Sequence, residues 1–111
     1  MSATFVQPEV VSQGAGFPQH FYVLWISSKE RYFVAGSPGP LYQGRAIVCA
    51  PTEEDAKRVI EVAEVTGALH DKAVPTPVSL GRAKQIAREQ GVECLVLLNM
   101  SDVMNSEVIY V

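Results

Sequence analysis

A chain of 111 residues, 48% apolar and 19% charged, has the size of one domain and enough hydrocarbon for an ordinary core, which excludes a highly charged disordered chain. Its 12 acidic and 9 basic residues leave a net charge of −3. Binding a polyanion gains free energy when clustered Lys and Arg release counterions at phosphates, and a polybasic membrane anchor needs the same clustering. No nucleic acid and no membrane surface is therefore an expected partner.

Residues 1–20 read as a tail, because Gly14, Gly16 and Pro18 interrupt them and Phe5, Val6, Val10 and Val11 keep no period. They lack the basic n-region and long apolar h-region of an export signal. No apolar run approaches the roughly 20 residues that span a bilayer, so the expected location is the cytoplasm. A single domain over residues 21–111 follows. It opens with a strand at 21–27, rich in the aromatic and β-branched residues that suit a pleated surface, and a turn at 28–30 sends the chain back along 31–35 as a β-hairpin. Residues 36–44 hold five glycines and prolines around Leu41 and Tyr42 and form a loop. A third strand runs over 45–50.

Pro51 ends that strand, and Thr52 caps a helix whose first turn, Glu53, Glu54 and Asp55, sets negative charge at the positive end of the helix dipole. Ala56, Val59, Ile60 and Ala63 recur at i, i+3, i+4 and i+7 and make one apolar face, and Gly67 stops the helix. The extended segment 73–78 carries Pro75 and Pro77, which cannot donate to a ladder on both sides, so an edge strand or an irregular segment is expected. Ser79 caps a second helix with Leu80, Ala83, Ile86 and Ala87 on its apolar side, ending at Gly91. Residues 93–99 are apolar on both faces, the mark of a strand buried on both sides. A loop over 100–106 leads to a last strand at 107–111. The expected fold is α+β: one mixed sheet of five or six strands with two helices packed on it, in the order β-β-β-α-β-α-β-β. The strands flanking each helix are expected to be parallel through right-handed crossovers.

The segments FYVLWIS and RYFVA, then AIVCAPTEEDAKRVIE, then PVSLGRAKQIAREQGVECLVLLN set out an order of otherwise generic elements. An opening hairpin precedes a strand that runs into the helix start Thr52-Glu53-Glu54-Asp55-Ala56, and a short helix precedes an apolar strand closing on Asn99. Over about residues 21–100 this order resembles the N-terminal domain of the SseB family of small bacterial proteins. The resemblance implies the mixed fold and no particular activity. Where a Pro-Gly pair would follow the strand's Asn, this chain has Met100-Ser101-Asp102.

Catalytic chemistry finds little to work with. His20 and His70 are the two histidines, and neither has a Cys, His or carboxylate at metal-ligand spacing, so no metal and no cofactor is expected. His70-Asp71 reads as a solvated helix end, with an acid–base pair as the sharper alternative. The loop over 36–44 cannot cradle a phosphate, because Pro38 and Pro40 lack the N–H groups a cradle needs and no Gly-Lys-Ser/Thr follows. Neither a G-x-S-x-G elbow nor an S-x-x-K arrangement occurs, and Glu53, Glu54 and Asp55 read as dipole partners. Cys49 and Cys94 each sit in an apolar run and read as buried reduced thiols, with a disulfide left open if their strands are neighbours.

Six of the eight aromatic residues after Phe5 fall between Phe17 and Phe33. In a strand, Tyr22, Leu24 and Ile26 share one face and Phe21, Val23 and Trp25 the other, so both faces are apolar. The hairpin is either sandwiched inside the fold or presents one face as an interface. Two functions follow. The first is a non-catalytic protein-interaction or self-associating module, most simply a symmetric homodimer. Its contact would be made through Tyr22 or Trp25, or through Leu41 and Tyr42 on their loop, with a protein partner as the other occupant. The second is a small-molecule-binding protein or minor enzyme whose apolar pocket is lined by Trp25, Tyr32 and Tyr42.

Overall fold

The computed structural model describes residues 18–36, 44–98, 100 and 106–111. Its elements are β1 (His20–Ile26), β2 (Arg31–Tyr32), β3 (Val34–Gly36), β4 (Arg45–Cys49), α1 (Glu53–Thr66), β5 (Val74–Ser79), α2 (Leu80–Glu89), β6 (Cys94–Leu97) and β7 (Glu107–Tyr110). The mixed α+β class is as the sequence suggests. The single sheet is not: the strands form two sheets, β2-β1-β5 and β3-β4-β6-β7.

The division occurs inside what reads as one returning strand. Residues 31–32 pair antiparallel with β1, Trp25 opposite Tyr32 and Ile26 opposite Arg31. Residues 34–36 then pair antiparallel with β4, Val34 opposite Ile47 and Gly36 opposite Arg45. Phe33 is the switch: its N–H still donates to the Leu24 carbonyl at 2.8 Å, while its ring is buried in the core. Period-2 patterning cannot reveal such a change of partner, because it reports which face is apolar and not which neighbour is paired. A second link joins the sheets at the other end of β1, where Tyr22 and Ala50 exchange N–H···O bonds of 2.8 and 2.9 Å.

The expected parallel pairing of strands on either side of each helix is also corrected. β4 and β5 lie in different sheets, as do β5 and β6. The parallel pair is β4 with β6, Val48 opposite Val96, and the whole α1-β5-α2 stretch lies between them in sequence.

β5 is the edge strand that its prolines demand. Pro75 and Pro77 lie opposite Leu24 and Tyr22. The backbone groups of Tyr22 and Leu24 are engaged on the other side of β1, with Ala50 and Phe33. The positions lacking an N–H therefore face outward, where no ladder is needed and where their absence discourages a further strand.

Both helices begin as their caps specify. Thr52 Oγ1 accepts the Asp55 N–H at 3.1 Å, and Ser79 Oγ accepts the Arg82 N–H at 3.2 Å. Gly67 ends α1 with φ of 82°, a left-handed conformation that glycine adopts without steric cost.

The core has two halves divided by the sheets. Ala46, Val48, Cys94 and Val96 meet Ala56, Val59 and Ala63 of α1, with Leu24, Ile26 and Phe33 beside them. Ile47, Cys49, Leu95 and Leu97 meet Ala83, Ile86 and Ala87 of α2, with Phe21 and Val23. The alternation along β4 and β6 thus sends neighbouring side chains to opposite helices, which is why 93–99 is apolar throughout. β1 likewise contributes to both halves, with Phe21, Val23, Leu24 and Ile26 buried and Tyr22 and Trp25 half-buried. Among the described residues no helix is long and apolar enough to cross a membrane.

Candidate functional site

The sequence nominates Tyr22, Trp25, Tyr32, Leu41 and Tyr42. Leu41 and Tyr42 lie outside the described residues, as does nearly all of the 1–20 segment, although His20 opens β1 rather than belonging to a tail. Tyr22 is half-buried against the α1 half of the core. Trp25 is half-buried on the opposite face of β1, with its ring edge-on to Tyr32 at a centroid distance of 4.8 Å. Trp25 and Tyr32 are therefore partners across the hairpin, worth about 1 kcal/mol beyond their buried area, and Tyr22 is not part of that group.

Tyr32 sits one residue before the strand switch, where its backbone has no strand on the side away from β1. Gln90, the C-cap of α2, fills that place. The Tyr32 N–H donates to Gln90 Oε1 at 2.8 Å, and Gln90 Nε2 donates to the Tyr32 carbonyl at 3.0 Å. One side-chain amide thus substitutes for a ladder residue 58 positions away in sequence. Nothing in the local pattern marks Gln90 for this role, since a glutamine at a helix end ordinarily faces water.

Two hollows flank the switch, and both are lined in part by Phe33 and Ala68. The first, of about 200 Å3, is charged: Lys29, Arg31, Arg45, His70 and Asp71 line it, over Ile26, Tyr32, Val34 and Leu69. Lys29 comes from the hairpin turn, Arg31 from β2, Arg45 from β4, and His70 and Asp71 from the chain just after α1. Lys29 Nζ lies 3.4 Å from Asp71 Oδ2. The sharper reading of His70-Asp71 as an acid–base pair finds no support in this geometry, since the Asp71 carboxylate is directed to Lys29. Among the described residues Arg31 and Arg45 make no ion pair.

The second hollow, of about 220 Å3, is apolar. Ala35, Val48, Val59, Val62, Ala63, Leu98 and Met100 line it, with Thr66 and Gly36 at its margin. Val62 is 52% exposed and Val65, one turn on, is 87% exposed, so α1 carries apolar side chains outside its buried face. Sequence reasoning missed both hollows. The valines did leave a signal, because Val62 and Val65 break the i, i+3, i+4, i+7 period that defines the buried face.

The two thiols are placed as expected. Cys49 and Cys94 are buried and form no disulfide, since they lie on adjacent parallel strands but in opposite halves of the core. Burial, and secondarily the neighbouring Cys94, push the Cys49 thiol far above its ordinary range, so it is neither a nucleophile nor a metal ligand at neutral pH. Among the described residues, no three His, Cys, Asp or Glu side chains gather as a metal site would require. Searches against family models, curated proteins and solved structures find no match.

Proposed function

We propose that the chain is a non-catalytic, self-associating interaction module, and that its contact surface is the outer face of α1 rather than the aromatic hairpin. The observation that supports this is the pair of exposed valines, Val62 and Val65, continuous with an apolar hollow over Val59, Leu98 and Met100. The hairpin is the lesser candidate because β1 packs against the core on both faces, with Tyr22 and Trp25 half-buried, whereas Val62 and Val65 lie side by side on one helix; Val74 and Tyr110 are the other exposed large apolar residues among those described.

A second copy is the occupant that the charges suit. Along α1 the order is Glu53, Glu54, then Lys57, Arg58, then Glu61, Glu64. Arg58, Glu61, Val62 and Val65 fall on one stripe at helical spacing, facing away from Ala56 and Ala63. An antiparallel copy related by a two-fold axis near Glu61 sets each Arg58 against the partner's Glu64, brings the two Glu61 side chains together at the axis, and lays Val62 and Val65 of both copies along the seam. Such an isologous pairing closes on itself and needs no other surface. A contact of one helix per protomer is at the small end of specific interfaces, so the dimer is expected to be weak. The same proposal includes a cytoplasmic location, supported by two thiols that form no disulfide, and carries the SseB-like resemblance at the level of fold. The alternative, a small-molecule-binding protein, rests on the charged hollow.

The test is mass in solution over a concentration series, by sedimentation equilibrium, for the wild type, Val65→Lys and Trp25→Lys. The wild type should dimerise in the micromolar range and Val65→Lys should remain monomeric with an unchanged unfolding curve. A wild type that stays monomeric at high micromolar concentration, or a dimer indifferent to Val65→Lys, would sink the reading.

A further inference from the structure

We propose that the hollow lined by Lys29, Arg31, Arg45 and His70 is a binding site for a small oxyanion, a phosphate or carboxylate group held chiefly by the Arg31 and Arg45 guanidiniums. It stands independently of self-association, since no residue of the α1 stripe lines it.

The first support is charge. The whole chain carries −3, yet this one hollow collects three permanent cations, Lys29, Arg31 and Arg45, against a single carboxylate, Asp71. Asp71 is turned to Lys29 at 3.4 Å, so the lysine answers it, and the two arginines are left with no ion pair among the described residues. Folding gathers these like charges from separate parts of the chain. Packing alone gives no reason to do so, because like charges side by side disfavour the fold until a counter-charge arrives.

The second support is chemistry and size. A guanidinium offers paired N–H donors in a fixed fork that matches a carboxylate or phosphate, and two of them on one site suit a group with several oxygens. The exposed His70 adds a ring nitrogen at the margin. A volume of about 200 Å3 is below the 300–1,000 Å3 usual for drug-sized ligands and equals roughly six or seven water volumes. That space suits an oxyanion with a short substituent and excludes a dinucleotide. Tyr32, Val34 and Leu69 supply apolar wall for the substituent.

The third support is backbone conformation. Glu30 is the only non-glycine residue with positive φ among those described, at 50°. A left-handed residue commonly closes a short hairpin loop onto its second strand, and the Lys29 and Glu30 N–H groups make the turn bonds to Ile26 and Ser27. Glu30 stands between Lys29 and Arg31, and the tight turn it closes directs both flanking cations to the same hollow.

The experiment titrates the full chain with inorganic phosphate and, in parallel, with succinate, at constant ionic strength made up with chloride. Binding is read by the amide and histidine-ring shifts in NMR and by the rise in melting temperature. The expected result is saturable binding in the millimolar range or tighter that shifts Tyr32 and His70. Arg31→Gln and Arg45→Gln should each weaken it about tenfold or more, the loss expected for one charge-assisted hydrogen bond pair, while Arg88→Gln leaves it unchanged. Tighter binding of phosphate than of succinate assigns the natural ligand to the phosphate class, and the reverse order to the carboxylates; either supports the site. Non-saturable shifts that chloride reproduces would overturn it. So would saturable binding that survives both arginine substitutions while their spectra remain those of the folded protein.

Discussion

The two hollows on either side of Phe33 are nearly equal in size, share Phe33 and Ala68, and differ in almost everything else. One is ringed by Lys29, Arg31, Arg45, His70 and Asp71; the other is hydrocarbon from Ala35 to Met100. The difference comes from where each wall begins. The charged hollow is built from ends: the hairpin turn, the first residues of β2 and β4, and the exit from α1. Backbone emerges into water there, and long charged side chains are tolerated. The apolar hollow is built from α1 and the strands beneath it, where the small residues Ala35, Gly36 and Ala63 are part of the lining. Surface chemistry in a small α+β domain thus follows position along the elements as much as composition. Two candidate sites of opposite character arise within a few residues of one another.

The wall common to both is the strand switch, and its removal should give the largest effect. Phe33→Ala deletes a ring that is 5% exposed. It should cost about 3–5 kcal/mol in denaturant unfolding, and it should damage oxyanion binding and self-association together. Loss of only one of the two would show that the hollows are separately supported. Gln90→Ala should come next. It strips the Tyr32 N–H and carbonyl of their partners in a half-buried position, for an expected loss of about 2 kcal/mol, against less than about 0.5 kcal/mol for Gln85→Ala on the exposed side of α2. Because Tyr32 borders the charged hollow alone, the residual folded Gln90→Ala protein should bind oxyanions worse and self-associate normally.

How much of this was legible in the sequence depends on the range over which each feature is decided. Thr52, Asp55 and Gly67 fix α1 within their own neighbourhood, and Ser79 does the same for α2, so both helices could be placed from caps and period. The prolines of β5 announced an edge, and the uninterrupted apolar run of β6 announced two covered faces. Phe33 announced nothing: its change of partner is settled by β4 and by Gln90, which is 58 residues from Tyr32. The charged hollow is hidden for the same reason, since Lys29, Arg31, Arg45 and His70 are unremarkable singly and meaningful only when folded together. The aromatic cluster was visible in the sequence, but its placement was not. Its density left both a sandwiched hairpin and an interface open, and the described cluster divides: Phe21 and Phe33 are buried, while Tyr22, Trp25 and Tyr32 are half-buried.

Val65→Lys should have the smallest effect on stability, within about 0.5 kcal/mol, because an 87% exposed side chain loses almost no packing. That near-silence is informative, since it separates the contact surface from the core. The most direct measurement of the proposed contact places a reporter on its axis. Cys49 and Cys94 are buried, so Glu61→Cys introduces the only accessible thiol among the described positions. Under mild oxidation the two-fold arrangement should convert Glu61→Cys to a disulfide-linked dimer rapidly. Glu93→Cys, exposed just before β6 and away from α1 in sequence, should link slowly if at all. Equal rates for the two variants, or no linkage at Glu61→Cys at concentrations where the wild type is dimeric, would contradict self-association through α1.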